Sequence, residues 1–173
     1  EAPIIFTFII CLLIMNKTTS PITVYQGVTY FCAVLVCALG AIGPAIGQSM
    51  FAAAAAKSIG LNRGAYSKIF PFTLLNQAII ETPVIFSLLL ALTLLLRAPR
   101  VGKEAMSMFA AMAAIISLGI GSTGTGIATG RVASRACLGI AHRPELYGVL
   151  FRTSLLAQAL IESAVIYCLI IAI

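Results

Sequence analysis

The sequence predicts an all-α membrane protein built from tandem transmembrane helical hairpins. Of its 173 residues, 61% are hydrophobic and only 9% are charged, whereas soluble domains are about one quarter charged. The apolar stretches are long enough to cross a hydrocarbon core of roughly 30 Å as helices, and they lack the alternation of a membrane barrel. The pattern also recurs along the chain, so one helical unit is present more than once.

Apolar runs and the residues that interrupt them predict four long helices, at residues 24–59, 67–96, 106–140 and 147–173. The first and third exceed the length needed to cross a bilayer. Polar connections at 60–66 and 141–146 join them in pairs. The net charge is +6, but the basic residues are scattered through connections without the clustered basic surface of a nucleic-acid-binding protein, so we expect membrane lipid and not nucleic acid as a partner.

The second helix of each pair carries the clearest internal repeat. Its shared positions match at a constant offset of 81 residues: Gln77, Glu81, Ile85 and Phe86 correspond to Gln158, Glu162, Ile166 and Tyr167. Each unit crosses the membrane twice, so both copies share one orientation. The repeat therefore predicts hairpin one at residues 21–97 and hairpin two at residues 98–173.

The first 20 residues resemble the second half of another hairpin. Glu1-Ala-Pro-Ile-Ile-Phe6 aligns with Glu81-Thr-Pro-Val-Ile-Phe86 at an offset of 80. A signal peptide is the alternative, but a charged first segment and a small-residue cleavage site are missing. We therefore interpret residues 1–20 as part of a preceding hairpin, to which upstream residues would contribute.

A single carboxylate lies near the middle of each complete second helix, Glu81 and Glu162. A charge at mid-membrane costs about 2.5–3.5 kcal/mol on insertion scales, so it needs a proton, a cation or a basic partner. No Lys or Arg occurs at matching depth in the four predicted helices. This pattern predicts carboxyl groups that take up and release a small cation.

The neighbouring residues supply further oxygen atoms, which hard cations prefer as ligands. Gln77 and Gln158 precede the glutamates by four residues, on the same helical face. Thr82 and Ser163 follow them directly, and Gln48 lies at similar depth on the preceding helix. Pro83 lacks the N–H that would bond the Ile79 carbonyl, so that oxygen is a further candidate ligand; a simple kink is the alternative interpretation. The five cysteines form no paired spacing and predict no metal or disulfide.

Small residues occur nearly all round the first helix of each hairpin. Such faces allow close approach between membrane helices. Because packing within one chain would use a single face, we expect an oligomer.

These motifs resemble the c subunit of rotary ATP synthases and ATPases, the proteolipid that forms their rotor ring. They are the glycine- and alanine-rich first helix, the polar loop and the central glutamate of the second helix. Fused hairpins are typical of vacuolar-type proteolipids, which remain an alternative. The pattern associated in the family with sodium-binding rings is Gln48, Ile79, Glu81 and Thr82 with Phe86 in hairpin one, and Gln158, Glu162, Ser163 and Tyr167 in hairpin two. Glu1 takes the matching position in the partial repeat.

The resemblance implies a homo-oligomeric ring with first helices inside and second helices outside. The glutamates would pass the a subunit, whose half-channels load and unload ions. The hairpin loops would contact the central-stalk subunits through Arg63, His142, Arg143, Pro144 and Glu145. A nucleotide-binding motif is absent, so the chain itself is predicted to be non-catalytic and to need no cofactor.

The carried ion is a further expectation from the resemblance. The hypothesis is Na⁺ at Glu81 and Glu162, with H⁺ as the alternative ion, in an energy-transducing membrane such as the bacterial inner membrane. A small proton-coupled antiporter and a non-transporting scaffold are the competing functions.

Overall fold

The computed structural model describes residues 2–17, 22–96 and 104–173, and these are almost entirely helical. The α-helices, in chain order, are α1 (Ala2–Lys17), α2 (Val24–Leu61), α3 (Tyr66–Leu96), α4 (Glu104–His142) and α5 (Tyr147–Ala172). The predicted all-α membrane fold of tandem hairpins is confirmed. The predicted boundaries near residues 20 and 97 lie outside the described residues, as does Glu1.

Four helical segments of the described chain are long and apolar enough to cross a membrane, and they coincide with the four helices predicted from the sequence. Helix α2, with 38 residues, is about 57 Å long at 1.5 Å per residue, and α4 is similar. Both therefore extend well beyond a hydrocarbon core of roughly 30 Å. Helix α1 is apolar but shorter.

Helix α2 begins with a capping box. The Thr23 hydroxyl accepts a hydrogen bond from the Gln26 backbone N–H, while the Gln26 side-chain oxygen accepts one from the Thr23 backbone N–H. The two side chains satisfy backbone donors that a helix start leaves unpaired. This capping box fixes the start of α2 at Val24.

Each hairpin turns through one short 3₁₀ helix, Arg63–Ala65 in hairpin one and Pro144–Leu146 in hairpin two. The two tips touch. The Asn62 side-chain N–H donates to the Ala141 carbonyl at 3.0 Å, and the Lys68 ammonium donates to the Pro144 carbonyl at 2.9 Å. Both hairpins therefore point the same way, as parallel repeats require.

Helices α2 and α4 form the most extensive helix pair of the described chain. They meet backbone to backbone along a seam of glycines. A Cβ atom added at Gly47 would overlap the Gly126 carbonyl, and one added at Gly126 would overlap the Pro44 backbone nitrogen. Because only glycine permits this approach, the small residues predicted for close packing join the first helices of the two hairpins.

Helices α3 and α5 flank this pair. Near the tips, the Phe72 ring of α3 lies between Phe51 of α2 and Phe151 of α5, with centroid distances of 6.1 and 6.0 Å and edge-to-face geometry. Aromatic pairs favour this geometry. The outer faces of α3 and α5 expose large apolar side chains, as expected for surfaces that meet lipid or further protein.

Helix α1 lies beside α2 and α3. Pro3 and Ile4, at its start, border the same cleft as Glu81, while Lys17, at its end, donates a hydrogen bond to the Leu95 carbonyl. Helix α1 therefore runs in the same direction as α3.

Candidate ion-binding site

The two central glutamates occupy equivalent places on α3 and α5. Each lies fifteen residues from the start of its helix, about 22 Å along the axis, and each is partly buried. Helix α3 continues for as many residues beyond Glu81. Both carboxyl groups therefore lie in the middle part of their helices.

Glu81 is held by α2. The Gln48 side-chain N–H donates a hydrogen bond to Glu81 Oε1 at 2.7 Å. This distance is short, as expected when an acceptor carries negative charge. The structure thus brings together two of the residues that the sequence singled out, which lie 33 positions apart.

A cleft of about 790 Å³ adjoins this pair. Gln77 borders it one helical turn before Glu81, and α1 contributes Pro3 and Ile4. The remaining lining comes from one face of α2: Ala38, Ala41, Ile42, Ala45, Ser49 and Ala52. Glu81 therefore has a polar partner on one side and open, largely apolar space on another.

Glu162 has a different environment, because its partner comes from the other hairpin. The hydroxyl of Thr82, on α3, is positioned to hydrogen-bond with the Glu162 carboxyl. One carboxyl oxygen of Glu162, Oε1, is buried and has no hydrogen-bond partner. The sequence grouped Thr82 with Glu81, its direct neighbour, but the structure places the threonine at the glutamate of the following repeat.

One turn before Glu162, a polar pair is buried between α3 and α5. The Gln158 side-chain N–H donates to Asn76 Oδ1 at 2.7 Å, and the Asn76 side-chain N–H donates to the Phe72 carbonyl at 2.8 Å. Both side chains are completely buried. The sequence prediction included Gln158 but missed Asn76. Asn76 could have been noticed as an amide side chain inside an apolar run, since the corresponding position of hairpin two is Ala157.

The remaining predicted ligands have other surroundings in the structure. The Ser163 hydroxyl donates to the Leu160 carbonyl at 2.7 Å, within its own helix. Ile79 is partly buried on α3, which continues unbroken past Pro83. Phe86 packs against the apolar core, whereas Tyr167 is 62% exposed.

The predicted stalk-contact residues lie at the hairpin tips. Arg63 begins the first 3₁₀ turn; His142 ends α4 and precedes the second turn. These two side chains are exposed, as are Arg143 and Glu145. Pro144 is partly buried and accepts the Lys68 hydrogen bond through its carbonyl. The tips therefore present a basic surface with one carboxylate.

The sequence is similar to c subunits of ATP synthases. The family model described as the ATP synthase C subunit matches twice, at residues 31–94 and 112–173. An ATP synthase c subunit of Cereibacter sphaeroides is 39% identical over 69 residues, covering 40% of this chain and 83% of that protein. The c subunit of Campylobacter fetus is 42% identical over 69 residues, with 40% and 69% covered. That of Thermosynechococcus vestitus is 43% identical over 61 residues, with 35% and 74% covered.

Each relative matches a length close to one hairpin, and the family model recurs in both. The two matched segments together span well over half of the chain and contain Gln48, Glu81 and Glu162. The duplicated match, the apolar helices and the paired mid-helix glutamates agree. This multi-pass membrane protein therefore belongs to the ATP synthase C-subunit family.

Proposed function

We propose that the chain is an ion-carrying rotor subunit of a rotary ATP synthase, in which Glu81 and Glu162 each bind and release a small monovalent cation. The observation that carries this proposal is the equivalent placement of the two carboxyl groups, each at mid-helix beside an uncharged polar partner. Gln48 and Thr82 orient the carboxyls without neutralising them. A cation from solution must therefore do so.

The energetic logic follows from the membrane. A bare carboxylate facing lipid costs about 2.5–3.5 kcal/mol or more, so each glutamate travels through lipid with its cation bound. Release requires a polar or positively charged surface that stabilises the empty carboxylate. The a subunit of such complexes would supply that surface, and sequential loading and release would then turn the ring.

Two features support a ring and a stalk contact. The first helices α2 and α4 pack closely along the glycine seam. The same kind of contact between neighbouring chains would form an inner ring of first helices, with α3 and α5 outside it. The exposed tips, with Arg63 and Arg143, present a surface for the central-stalk subunits. In this arrangement the chain is non-catalytic, since nucleotide chemistry belongs to partner chains.

The carried ion is H⁺ or Na⁺, and the two sites support different choices. A proton needs little beyond the carboxyl, and the described hydrogen bond at Glu81 comes from a single amide. Sodium needs several oxygen atoms. The Thr82 hydroxyl and the unpaired oxygens near Glu162 favour Na⁺ at that glutamate. Because every glutamate of one ring passes the same half-channels, all sites must carry the same ion.

Reconstitution of the complete ATP synthase into liposomes tests the proposal. We expect ATP synthesis when an ion gradient is imposed across the vesicles: a pH gradient alone suffices if H⁺ is carried, and a Na⁺ gradient is required if Na⁺ is carried. Both syntheses should stop when the gradient is collapsed by the matching ionophore. If neither gradient drives ATP synthesis in a complex that still hydrolyses ATP, the proposal that this chain carries ions is contradicted.

A further inference from the structure

Gln158 lies one helical turn before Glu162 and is a completely buried polar side chain with an unpaired atom. Its exposed fraction is 0%, yet its side-chain oxygen has no partner. Buried polar atoms are nearly always paired, and a native exception asks for an explanation such as a missing ion. The unpaired oxygen therefore marks a place where a ligand fits.

The direction of this amide follows from a chain of three groups. The chain ends at the Phe72 carbonyl, which can only accept, so Asn76 must turn its N–H toward it and its oxygen away. That oxygen can only accept, so Gln158 must turn its own N–H toward Asn76. The Gln158 oxygen is left on the far side of the amide, free to accept.

A second unpaired oxygen lies one turn along the same helix. Glu162 follows Gln158 by four residues, which places the two side chains on one face of α5. Both contact side chains of α3, namely Asn76 and Thr82. The Glu162 Oε1 atom is buried without a partner, as is the Gln158 oxygen. A cation could be held between two such acceptors, and a proton on the carboxyl would make it a donor to the amide oxygen.

We propose that the Gln158 side-chain oxygen is a ligand of the cation that Glu162 carries, and that Asn76 is a positioning residue that turns this oxygen toward the site. The inference rests on the proposed function and deepens it. It assigns Asn76, a residue of hairpin one, to the ion site of hairpin two. It also explains why a fully buried amide pair is tolerated inside an apolar helix interface.

The two sites of one chain then differ, which provides an internal control. Gln77, the counterpart of Gln158, is only partly buried and borders the cleft beside Glu81. Hairpin two has Ala157 where hairpin one has Asn76. The Gln158–Asn76 hydrogen bond is therefore present beside Glu162 and has no counterpart beside Glu81. A change in this pair should alter cation binding at Glu162 and leave Glu81 unaffected.

The test uses the purified ring and dicyclohexylcarbodiimide, which modifies membrane carboxyl groups, with each glutamate quantified on its own peptide by mass spectrometry. Labelling rates are measured across a Na⁺ series at fixed pH and across a pH series without Na⁺. The variants are Asn76→Leu, Gln158→Met and the double variant. The double variant controls for misfolding of the single variants. Replacing both partners of a buried hydrogen bond with apolar groups is often nearly neutral for stability, so this ring should still assemble.

We expect Gln158→Met to weaken cation binding at Glu162 about tenfold, the typical effect of losing one hydrogen-bond-like contact, with Glu81 unchanged. Asn76→Leu should weaken Glu162 as well, but should add nothing when Gln158 is already methionine. That non-additivity separates positioning through Gln158 from a general structural role. The Na⁺ series and the pH series show which cation the extra oxygen binds.

Two outcomes overturn the inference. One is unchanged cation binding at Glu162 in an assembled double-variant ring. The other is an equal weakening at both glutamates, which would indicate general loosening of the helices. The proposed function fails separately: in the unmodified ring, labelling of Glu162 would then respond neither to Na⁺ nor to pH.

Discussion

We expect Glu162→Gln to abolish ion-driven ATP synthesis while leaving the ring assembled. Glutamine keeps the size of glutamate and can still hydrogen-bond with the Thr82 hydroxyl, so packing against α3 should persist. It cannot release a proton or bind a cation as a carboxylate does. Because every copy in the ring carries the change, each turn would meet an inactive site, and the loss should be essentially complete.

The measurement is ATP synthesis by reconstituted complexes, with ring assembly checked by mass spectrometry of the intact oligomer. Glu104→Gln is the matched control, since Glu104 is the first residue of α4 and does not lie at mid-membrane. It should retain ion-driven synthesis. Undiminished synthesis in an assembled Glu162→Gln complex would remove this residue from the ion path.

The second large effect is expected at the glycine seam. Gly126→Val places a branched side chain where even a Cβ would overlap the Gly43 carbonyl carbon and the Pro44 nitrogen. Neither atom can move without shifting the α2 backbone. Overpacking in a tight core typically costs about 1–3 kcal/mol, and a clash with backbone should exceed that range, so we expect loss of the α2–α4 pair and little assembled ring.

Gly60→Val is the control for this change. Gly60 lies in the last turn of α2, where an added Cβ would meet nothing within 4 Å. It carries the same change in helix propensity without the clash. Assembled ring would be quantified after detergent extraction and compared with the unmodified chain. Equal yields from the Gly126 and Gly60 variants would show that the seam is not needed for assembly.

The sequence predicted the helices well because the apolar runs are long and the interruptions are few. The predicted ends near the tips fell two residues short for α2 and α4, at 59 and 140, whereas the helices end at Leu61 and His142. The first helix was expected to end near Gly60, and the third was expected to be broken by His142-Arg-Pro-Glu145. In the structure, a 3₁₀ turn of only three residues is enough to reverse the chain, so the helices can run further.

The internal repeat likewise predicted both glutamates, but not their partners across the hairpins. Successive residues of a helix point about 100° apart, so Glu81 and Thr82 are directed to different sides of α3. With Glu81 directed at α2, Thr82 faces α5 and Glu162. A single sequence shows which residues share a helix face and does not show which helix that face meets. The same gap hid Asn76.

The most direct test of cation carriage is chemical labelling of the unmodified ring with dicyclohexylcarbodiimide. The prediction is selective modification of Glu81 and Glu162, at a rate that falls as Na⁺ is added if Na⁺ is carried. If H⁺ is carried, the rate should fall as pH rises and should not respond to Na⁺. If millimolar Na⁺ does not slow the labelling of either glutamate at any of the pH values tested, the sodium hypothesis is ruled out. Labelling of neither glutamate, or labelling indifferent to both ions, would contradict the claim that these two carboxyl groups take up and release a cation within the membrane.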